Sequence, residues 1–526
     1  MSEGNSERPG RRWLPHGWGY PPSPGEVRTV DLAAVVLLAL AVWFHADVAP
    51  RAQVVGGRSH MHRTDFTVFT EAASAFFDGR DPYAVTNPRG WYYLYPPLFA
   101  LMVAPLTPLD AAGQVLVWYA VSVALGFGAF AEARKLWRLA LAESDGPAPS
   151  TATLWVVASG AALTVALPTL ECLQRGQLGI ALLYALLLGF RLAAEGRRVF
   201  LGGIVLAWAA VVKLIPALPV GFLCWQAWVA VARRREGPGR ASALAFGVVA
   251  GGVLFLVAAP SVVLGWDANA RHLRTWARKV VTNADPGRES KFHIDSPTNQ
   301  SLSNAAHTLA VTLRPEGPDD PRALARRFAR TPEELRFGVD AASALMRKAD
   351  AATRRAVLAA EGLVLVALLA LSVAPRAGPD LAGRASAFGL ACLGMILVSP
   401  VAWTHYYMMF VPAVPFVPLR LASRGRTKSA WAAAAVPAAL VWAHYLGKSW
   451  AGPVGLLGLG TAVWFAAAWA VTVIGPVVAA KLPGRRADDP REPPHPRPRR
   501  LRAFFPVTSD PASPRPRRTT RRPRTP

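Results

Sequence analysis

The chain has 526 residues, of which 52% are hydrophobic and 17% are charged, and its mean hydropathy is +0.26. Soluble chains usually carry about 25% charged residues, so this composition excludes a row of water-soluble domains and predicts an all-α polytopic membrane protein. The net charge of +25 does not indicate nucleic-acid binding, because the basic residues lie in the C-terminal tail and between apolar runs.

The N-terminal stretch, residues 1–29, is basic and polar and contains no apolar core of a signal peptide. We predict a disordered cytoplasmic arm there. The first apolar run follows at 30–48, and the arginines before it place the N-terminus in the cytoplasm.

Further apolar runs are long enough to cross a bilayer core of about 30 Å as helices. They cover roughly 112–133, 152–170, 178–194, 199–213, 217–232, 241–264, 356–374, 385–399, 405–420, 429–447 and 453–478. A shorter, proline-rich run occupies 95–109. With this run included, the basic clusters fall on inconsistent sides. Without it, twelve spans remain and both termini are cytoplasmic, so we interpret 95–109 as re-entrant or broken.

This topology predicts one transmembrane domain, residues 30–480, with extracytoplasmic loops 50–94 and 266–355. The second loop contains a stretch at 332–356 with the pattern of an amphipathic helix. Residues 481–526 hold 14 basic and 4 acidic residues with many prolines, which predicts a disordered cytoplasmic tail.

Polar residues collect on the predicted outer side, which suggests a site at that membrane boundary. Asp65 stands just after the first span, where a carboxylate could act as a general base or simply cap the following helix. The tyrosines nearby, including Tyr83 and Tyr95, suit either sugar stacking or an interfacial belt.

Several cationic or titratable residues also fall on this side. Lys213 lies in an apolar run, where a cation usually faces a cavity or an anion, although it could reach the interface instead. His405 could contact a phosphate oxygen or be an ordinary interfacial histidine. Arg175 precedes a span and Arg271 opens the large loop, and both could offset the charge of a phosphate leaving group.

Seven short motifs occur in an order and spacing that resembles glycosyltransferase family 87, also called DUF2029. They are DFxxF at 65–69, GRDPY at 79–83, YPPL at 95–98, RGQL at 175–178, KLIP at 213–216, NQSL at 299–302 and SPVAWTH at 399–405. The family contains polyprenyl-phosphate-dependent mannosyl- and arabinofuranosyltransferases of the GT-C superfamily. Two positions depart from its pattern: Phe69, where the family often has tyrosine, and Tyr406, where it often has a second histidine.

The resemblance implies a GT-C-type bundle of about twelve transmembrane helices, with short helices in the outer loops and an extracytoplasmic active site in the plasma membrane. It implies an inverting transfer of mannose, another hexose or arabinofuranose from a polyprenyl-phosphate donor to an envelope glycan or glycolipid. The family's acidic residue falls on Asp65, its late histidine on His405 and its lysine on Lys213.

We therefore expect Asp65 to be catalytic. The donor phosphate is expected to contact Lys213, His405, Arg175 and Arg271. The sugar or acceptor is expected to contact Tyr83, Tyr95, Glu171, Gln177, Asn299, Gln300 and Trp403. No metal, cofactor or nucleic acid is predicted. Two other functions stay open at this stage: a transporter or lipid flippase, and a non-catalytic protein of envelope assembly.

Overall fold

The computed structural model describes residues 24–53, 62–88, 91–143, 148–281, 299–306, 351–374, 380–447 and 455–473. Over these ranges the regular structure is helical, and strand pairing is limited to two isolated bridges. The protein is an all-α polytopic membrane protein. The C-terminal tail, the arm before Pro24 and most of the expected amphipathic helix at 332–356 lie outside the described residues.

The first half of the described chain forms eight α-helices. They are α1 Pro24–Trp43, α2 Thr67–Phe77, α3 Pro97–Val103, α4 Ala111–Ala142, α5 Thr151–Arg175, α6 Gly179–Glu195, α7 Val199–Val212 and α8 Ala217–Ala232. A π-helical segment, Phe44–Val48, continues α1. Helix α1 begins at Pro24 and so includes the last six residues of the expected N-terminal arm, 24–29.

Eight more helices follow. They are α9 Pro238–Gly252, α10 Ala259–Leu264, α11 Trp266–Trp276, α12 Ala351–Val373, α13 Leu381–Leu397, α14 Phe416–Ala422, α15 Thr427–Leu446 and α16 Leu456–Val473. π-helical segments at Val253–Ala258 and Ala277–Val281 extend α9 and α11, and a 3₁₀ helix at Thr404–Phe410 lies between α13 and α14.

Among the described residues, seven helical stretches are long and apolar enough to span a membrane. They are Ala34–Ala52, Ala111–Ala142, Thr151–Arg175, Pro238–Leu264, Ala352–Val373, Thr427–Leu446 and Leu456–Val473. Shorter apolar helices at Val199–Val212, Ala217–Ala232 and Leu381–Leu397 lie between them. The chain is therefore a multi-pass membrane protein, and the total of twelve spans stays a prediction.

Contacts between distant helices distinguish two ends of the bundle. At one end, which we call the site end, the hydroxyl of Tyr445 in α15 donates to Glu171 in the last turn of α5. At the opposite end, the backbone N–H of Leu381, where α13 begins, donates to the carboxylate of Glu143 just after α4. Arg240 in α9 donates there to the last turn of α6. Helices α4 to α9 thus alternate in direction between the two ends.

The proline-rich segment around α3 starts and finishes at the site end. Tyr95 precedes it and contacts Lys213 at the end of α7. Gln114, in the first turn of α4, accepts a hydrogen bond from Thr70 in α2. Helix α3 has 7 residues and, at 1.5 Å per residue, is about 10 Å long, far short of a bilayer core. This is the geometry of a re-entrant segment.

Small residues let the helices approach closely, as is common in membrane bundles. A Cβ atom on Gly247 in α9 would lie 2.2 Å from the carbonyl oxygen of Phe200 in α7, and one on Gly160 in α5 would lie 2.6 Å from that of Ala434 in α15. These contacts pack α7 closely against α9 and α5 closely against α15.

Candidate active site

A cavity of about 280 Å³ opens at the site end. Its lining comes from stretches of chain far apart in sequence, at 65–69, 91–96, 175–177, 213–215, 276–280 and 399–406. Most of the lining side chains are apolar or aromatic, and a few are polar or charged. That combination is typical of small-molecule binding sites.

Asp65 is held in this cavity through the backbone. Its N–H donates to the carbonyl oxygen of Arg175 over 2.9 Å, and the hydroxyl of Thr64 donates to the same oxygen over 3.2 Å. The turn that offers this oxygen needs Gly176, which closes α5 with φ +65°. A Cβ there would lie 2.7 Å from Cβ of Phe66. The RGQ motif at 175–177 and the DF motif at 65–66 are therefore in direct contact and fix each other's position.

The carboxylate of Asp65 is oriented by two side chains from the end of α5 and the turn after it. Nε2 of Gln177 donates to Oδ2 of Asp65 over 2.8 Å, and a guanidinium nitrogen of Arg175 lies 3.8 Å from the same oxygen. The N-cap of α2 is Phe66, without a side-chain cap, so Asp65 is not the capping residue. Asp65 is 8% exposed and faces the cavity.

Lys213 leaves the end of α7 and enters the cavity between two aromatic rings. Its ammonium nitrogen lies 4.1 Å from the ring centroid of Tyr406 and 3.3 Å from the hydroxyl oxygen of Tyr95. Cation–π attraction stabilises a charge in this position. Burial, with a contribution from Asp65, raises the pKa of Tyr95, so its hydroxyl stays protonated at neutral pH. Lys213 is directed into the cavity and is not drawn back to the interface.

His405 lies on the 3₁₀ helix, is 2% exposed, and lines the same cavity. Within the described residues, neither of its ring nitrogens has a hydrogen-bond partner. Buried polar groups are nearly always satisfied, so these ring nitrogens keep an unused capacity for hydrogen bonding next to the cavity. The ring of Tyr406 packs edge-on against it, with centroids 4.8 Å apart.

Glu171 lies behind the cavity and does not line it. Its carboxylate accepts hydrogen bonds from the hydroxyls of Thr404 and Tyr445, and Nε of Arg175 lies 3.0 Å from Oε1. Arg175 thus bridges Glu171 and Asp65. Glu171 thus fixes Arg175 and Thr404, the residue before His405, and its expected contact with sugar or acceptor stays a prediction.

Asn299 and Gln300 bind the 399–405 loop, and their expected contact with sugar or acceptor stays a prediction. Asn299 donates from Nδ2 to the carbonyl oxygen of Pro400 over 3.1 Å and accepts from the N–H of Ala402 over 2.8 Å. The N–H of Gln300 donates to the carbonyl oxygen of Ala402 over 2.7 Å. Both residues are fully buried, outside the cavity lining. These hydrogen bonds hold the backbone of the 399–405 loop, which is irregular and forms no helix up to residue 403.

Two more expected residues lie outside the lining. Arg271 is exposed on α11. Tyr83 is buried in an aromatic cluster, its ring centroid 5.8 Å from that of Tyr93. The residues that the fold does bring together are Asp65, Tyr95, Arg175, Gln177, Lys213, Trp403 and His405.

Aromatic side chains form one wall of the cavity, and this aromatic wall contains more residues than the sequence indicated: Trp91, Tyr92, Tyr95, Trp276, Trp403 and Tyr406. Trp91 packs edge-on against Trp403 with centroids 5.8 Å apart, and Trp276 donates from its indole N–H to the carbonyl oxygen of Leu94 over 3.2 Å. Tyr406 completes the wall. The WYY run at 91–93 is a signal that could have drawn attention to Trp91, whereas nothing local to α11 marks Trp276.

One carboxylate, two cations and a histidine therefore face a single aromatic-walled cavity in a membrane bundle. The family model of glycosyltransferase family 87 matches residues 93–400, more than half of the chain. The chain belongs to this family. Membership of this family makes the protein a membrane glycosyltransferase. A search of curated proteins and a search of solved structures found no match. The matched range includes Arg175 and Lys213, while Asp65 and His405 lie outside it.

In the described part of the chain, no three His, Cys, Asp or Glu side chains come together in a way that could hold a metal ion. The polar side-chain groups of the cavity lining are one carboxylate, a guanidinium, an amine, an imidazole, hydroxyls, an amide and indole N–H groups. The expectation that the protein needs no metal stays a prediction.

Proposed function

We propose that this family 87 protein transfers a sugar from a polyprenyl-phosphate donor to a hydroxyl group of an envelope glycan or glycolipid. The observation that supports the proposal is that Asp65, Lys213 and His405 line one cavity. In the proposed complex the sugar sits between them, with the base on one side and the donor nitrogens of Lys213 and His405 on the other, as inversion at the anomeric carbon requires.

In this mechanism the acceptor hydroxyl oxygen attacks C1 of the sugar, and the C1–O bond to the phosphate breaks with its electron pair left on the phosphate oxygen. Asp65 takes the hydroxyl proton, and polyprenyl phosphate leaves. A base positioned in this way typically contributes about 10²–10⁴-fold to the rate. Gln177 keeps the carboxylate aimed at the acceptor.

The departing phosphate gains negative charge, which the nitrogen donors of the cavity are suited to offset. Lys213 supplies a terminal nitrogen on a flexible stem, and His405 supplies a ring nitrogen that can donate. Arg175 is divided between Asp65 and Glu171, so it contributes to the field of the cavity while it orients the base. Preorganised donors of this kind stabilise charge that develops in the transition state.

An apolar entrance supports a lipid-linked donor. Leu214 lines the cavity and is 51% exposed on the outside of the bundle, so the cavity reaches the apolar surface. A polyprenyl chain could lie there while its phosphate reaches Lys213. The site end is opposite the arginine-rich connections, and the positive-inside rule places those in the cytoplasm. We therefore propose an extracytoplasmic site in the plasma membrane, with a GT-C-type architecture and both termini cytoplasmic.

The aromatic wall favours a sugar with apolar C–H faces. Trp91, Trp403 and Tyr92 line the cavity, and rings of this kind pack well against a hexose such as mannose. A smaller arabinofuranose is the alternative donor sugar. Assays with both polyprenyl-phosphate sugars distinguish them.

The deciding experiment replaces Asp65 by asparagine and measures release of polyprenyl phosphate from polyprenyl-phosphate sugar in proteoliposomes. We expect a loss of about 10²–10⁴-fold, since the amide cannot take a proton. Glu71→Gln is the matched control, because Glu71 is an exposed acid on α2 outside the cavity. A normal rate for Asp65→Asn would remove its assignment as the base.

The same assay separates the competing functions. A flippase would move the labelled lipid across the bilayer without releasing polyprenyl phosphate. A non-catalytic assembly protein would do neither. Absence of release by the unaltered protein with every donor tested would contradict the proposed reaction.

A further inference from the structure

Helix α11 has a basic face on the outside of the protein, and the proposed transfer makes no use of it. Arg271 and Arg274 are exposed, and neither forms an ion pair within the described residues. Arg278 continues this face into the π-helical extension of α11, where its Nε donates to the carbonyl oxygen of Arg274 over 3.4 Å. The segment contains one acid, Asp267, one turn before Arg271. We call the exposed surface of Arg271, Arg274 and Arg278 the arginine face.

The opposite face of α11 packs against the protein. It consists of Asn269, His272 and Trp276, which follow one another at the helical spacing of three and four residues. Asn269 is buried, and the ring centroid of His272 lies 4.7 Å from that of Phe76 in α2. The indole N–H of Trp276 donates to the carbonyl oxygen of Leu94. The arginine face therefore points away from the protein.

The preceding helix places the start of α11 at the membrane boundary. The membrane-spanning stretch Pro238–Leu264 ends at Gly265, whose φ is +84°. Val262 and Val263, in the last turn of α10, are 86% and 54% exposed on the outside of the bundle. Apolar side chains in this position face lipid, so the bilayer core reaches the last turn of α10 and α11 starts just beyond it.

Helix α11 then lies across the end of that span and does not continue it. Nδ2 of Asn269 donates to the carbonyl oxygens of Leu256 and Val257 over 3.0 and 3.3 Å. In a continuous α-helix, the 13 positions between Asn269 and Leu256 would separate them by about 20 Å. The chain therefore turns back at Gly265, and the arginine face lies at the depth of the lipid headgroups.

We propose that the arginine face binds the headgroups of anionic phospholipids at the site end of the bundle. Guanidinium groups donate well to phosphate oxygens, and an amphipathic helix with a basic polar face is typical of contacts with anionic lipids. Trp276 and Val280 of the same segment line the cavity of the site end, so bound lipid would steady that wall. The proposal does not depend on the transfer reaction, and its test contains no activity measurement.

The test is hydrogen exchange of the amides at 266–281 in the full chain, in nanodiscs of dioleoyl phosphatidylcholine alone or mixed with an equal amount of dioleoyl phosphatidylglycerol. We expect phosphatidylglycerol to slow this exchange about tenfold, because the arginines hold α11 to the charged surface. Arg271→Gln/Arg274→Gln should lose this effect. Arg197→Gln/Arg198→Gln is the matched control, since it removes two exposed charges between α6 and α7 at the opposite end and should keep the full effect.

A charge-conserving variant guards against misfolding. Arg271→Lys/Arg274→Lys should keep most of the slowing, whereas a loss equal to that of the glutamine pair would overturn the electrostatic argument. Equal exchange of the unaltered protein in both nanodiscs would overturn the binding surface, and so would equal slowing in the unaltered protein and the glutamine pair.

Two further measurements separate lipid binding from other causes. The amides of α2 lie at the same end without an arginine face, so they should exchange equally in both nanodiscs. Slowing of the same size in α2 would overturn the proposal in favour of a general change of pH at the charged surface. Inorganic phosphate added to the phosphatidylcholine nanodiscs should have no effect, and slowing at 266–281 equal to that by phosphatidylglycerol would replace the lipid by a soluble phosphate.

Discussion

Gln177 donates a hydrogen bond from Nε2 to Oδ2 of Asp65 over 2.8 Å, although 112 positions separate the two residues in the chain. The bond joins the turn after α5 to the turn before α2. The amide of Gln177 donates to the same carboxylate oxygen that Arg175 approaches. Two side chains therefore orient the carboxylate of Asp65, while its backbone N–H is fixed by the carbonyl oxygen of Arg175.

Gln177→Leu keeps most of the side-chain volume and removes this donor. Hydrogen bonds to charged groups are worth about 1.5–3 kcal/mol, so we expect kcat to fall about 10- to 100-fold. KM for the donor should stay unchanged if Gln177 only aims the base. Steady-state kinetics in proteoliposomes measure both. Gln174→Leu is the control, because Gln174 donates to Asp47 over 2.6 Å, away from the cavity. An unaltered kcat for Gln177→Leu would contradict the aiming role.

Gly176→Ala should destabilise the protein and reduce its activity. The residue has φ +65° and a Cβ would lie 2.7 Å from Cβ of Phe66. The left-handed conformation costs about 1–2 kcal/mol for a residue other than glycine, and the overlap costs about 1–3 kcal/mol more.

Gly196→Ala is the control for that change. Gly196 has φ +79°, but nothing lies within 4 Å of the position a Cβ would take, so only the conformational cost applies. Thermal unfolding should show a larger drop in Tm for Gly176→Ala than for Gly196→Ala. Equal drops would mean that Phe66 moves aside without cost.

Lys213→Met keeps the length of the side chain and removes its charge. If the ammonium group offsets charge on the leaving phosphate, kcat/KM for the polyprenyl-phosphate donor should fall about 10²–10³-fold. Lys135→Met is the matched control, since Lys135 pairs with Glu132 on α4 and is 56% exposed. A drop of similar size in both variants would show that the effect is not specific to the cavity.

The ion pair between Asp81 and Lys279 should make the α11 segment sensitive to pH. Burial raises the pKa of Asp81, but the hydrogen bonds from Lys279 and from the N–H of Tyr83 outweigh it, and the pKa lies below the ordinary 3.8. The pair therefore adds stability above about pH 4, and that stability is lost as the pH falls through the lowered value. Both side chains are about 40% exposed, so the gain is no more than about 1 kcal/mol.

Hydrogen exchange of the amides at 266–281 measures this effect. We expect faster exchange at pH 3 than at pH 6 once the intrinsic rates are corrected, and Asp81→Asn should show the faster exchange already at pH 6. Asp78→Asn, which removes the neighbouring pair with Arg80, should leave these amides unaffected. The same result for both variants would exclude a specific tether between Asp81 and α11.

The helical fold follows from the apolar runs, because their length and composition leave few other structures in a membrane. The expected run 405–420 is the exception. Prolines at 412, 415 and 418 interrupt it, and the chain there forms a 3₁₀ helix, turns and the short α14. Proline removes a backbone donor and opposes a continuous helix.

The candidate site was predictable only where a short sequence motif contains the polar residue that lines the cavity, as with Asp65, Lys213 and His405. Asp65, Lys213 and His405 lie together because each stands at the end of a helix or loop that reaches the site end. The clasp formed by Asn299 was not predictable, since it depends on the pairing of segments about 100 residues apart. Trp276 was missed for the same reason.

Asp65 takes its position from peptide groups that every amino acid shares, namely its own N–H and the carbonyl of Arg175. Changes of side chain at 91, 92, 403 and 406 leave that anchor untouched. Substitutions at these four positions are therefore expected to change the lining of the cavity while Asp65 stays where it is.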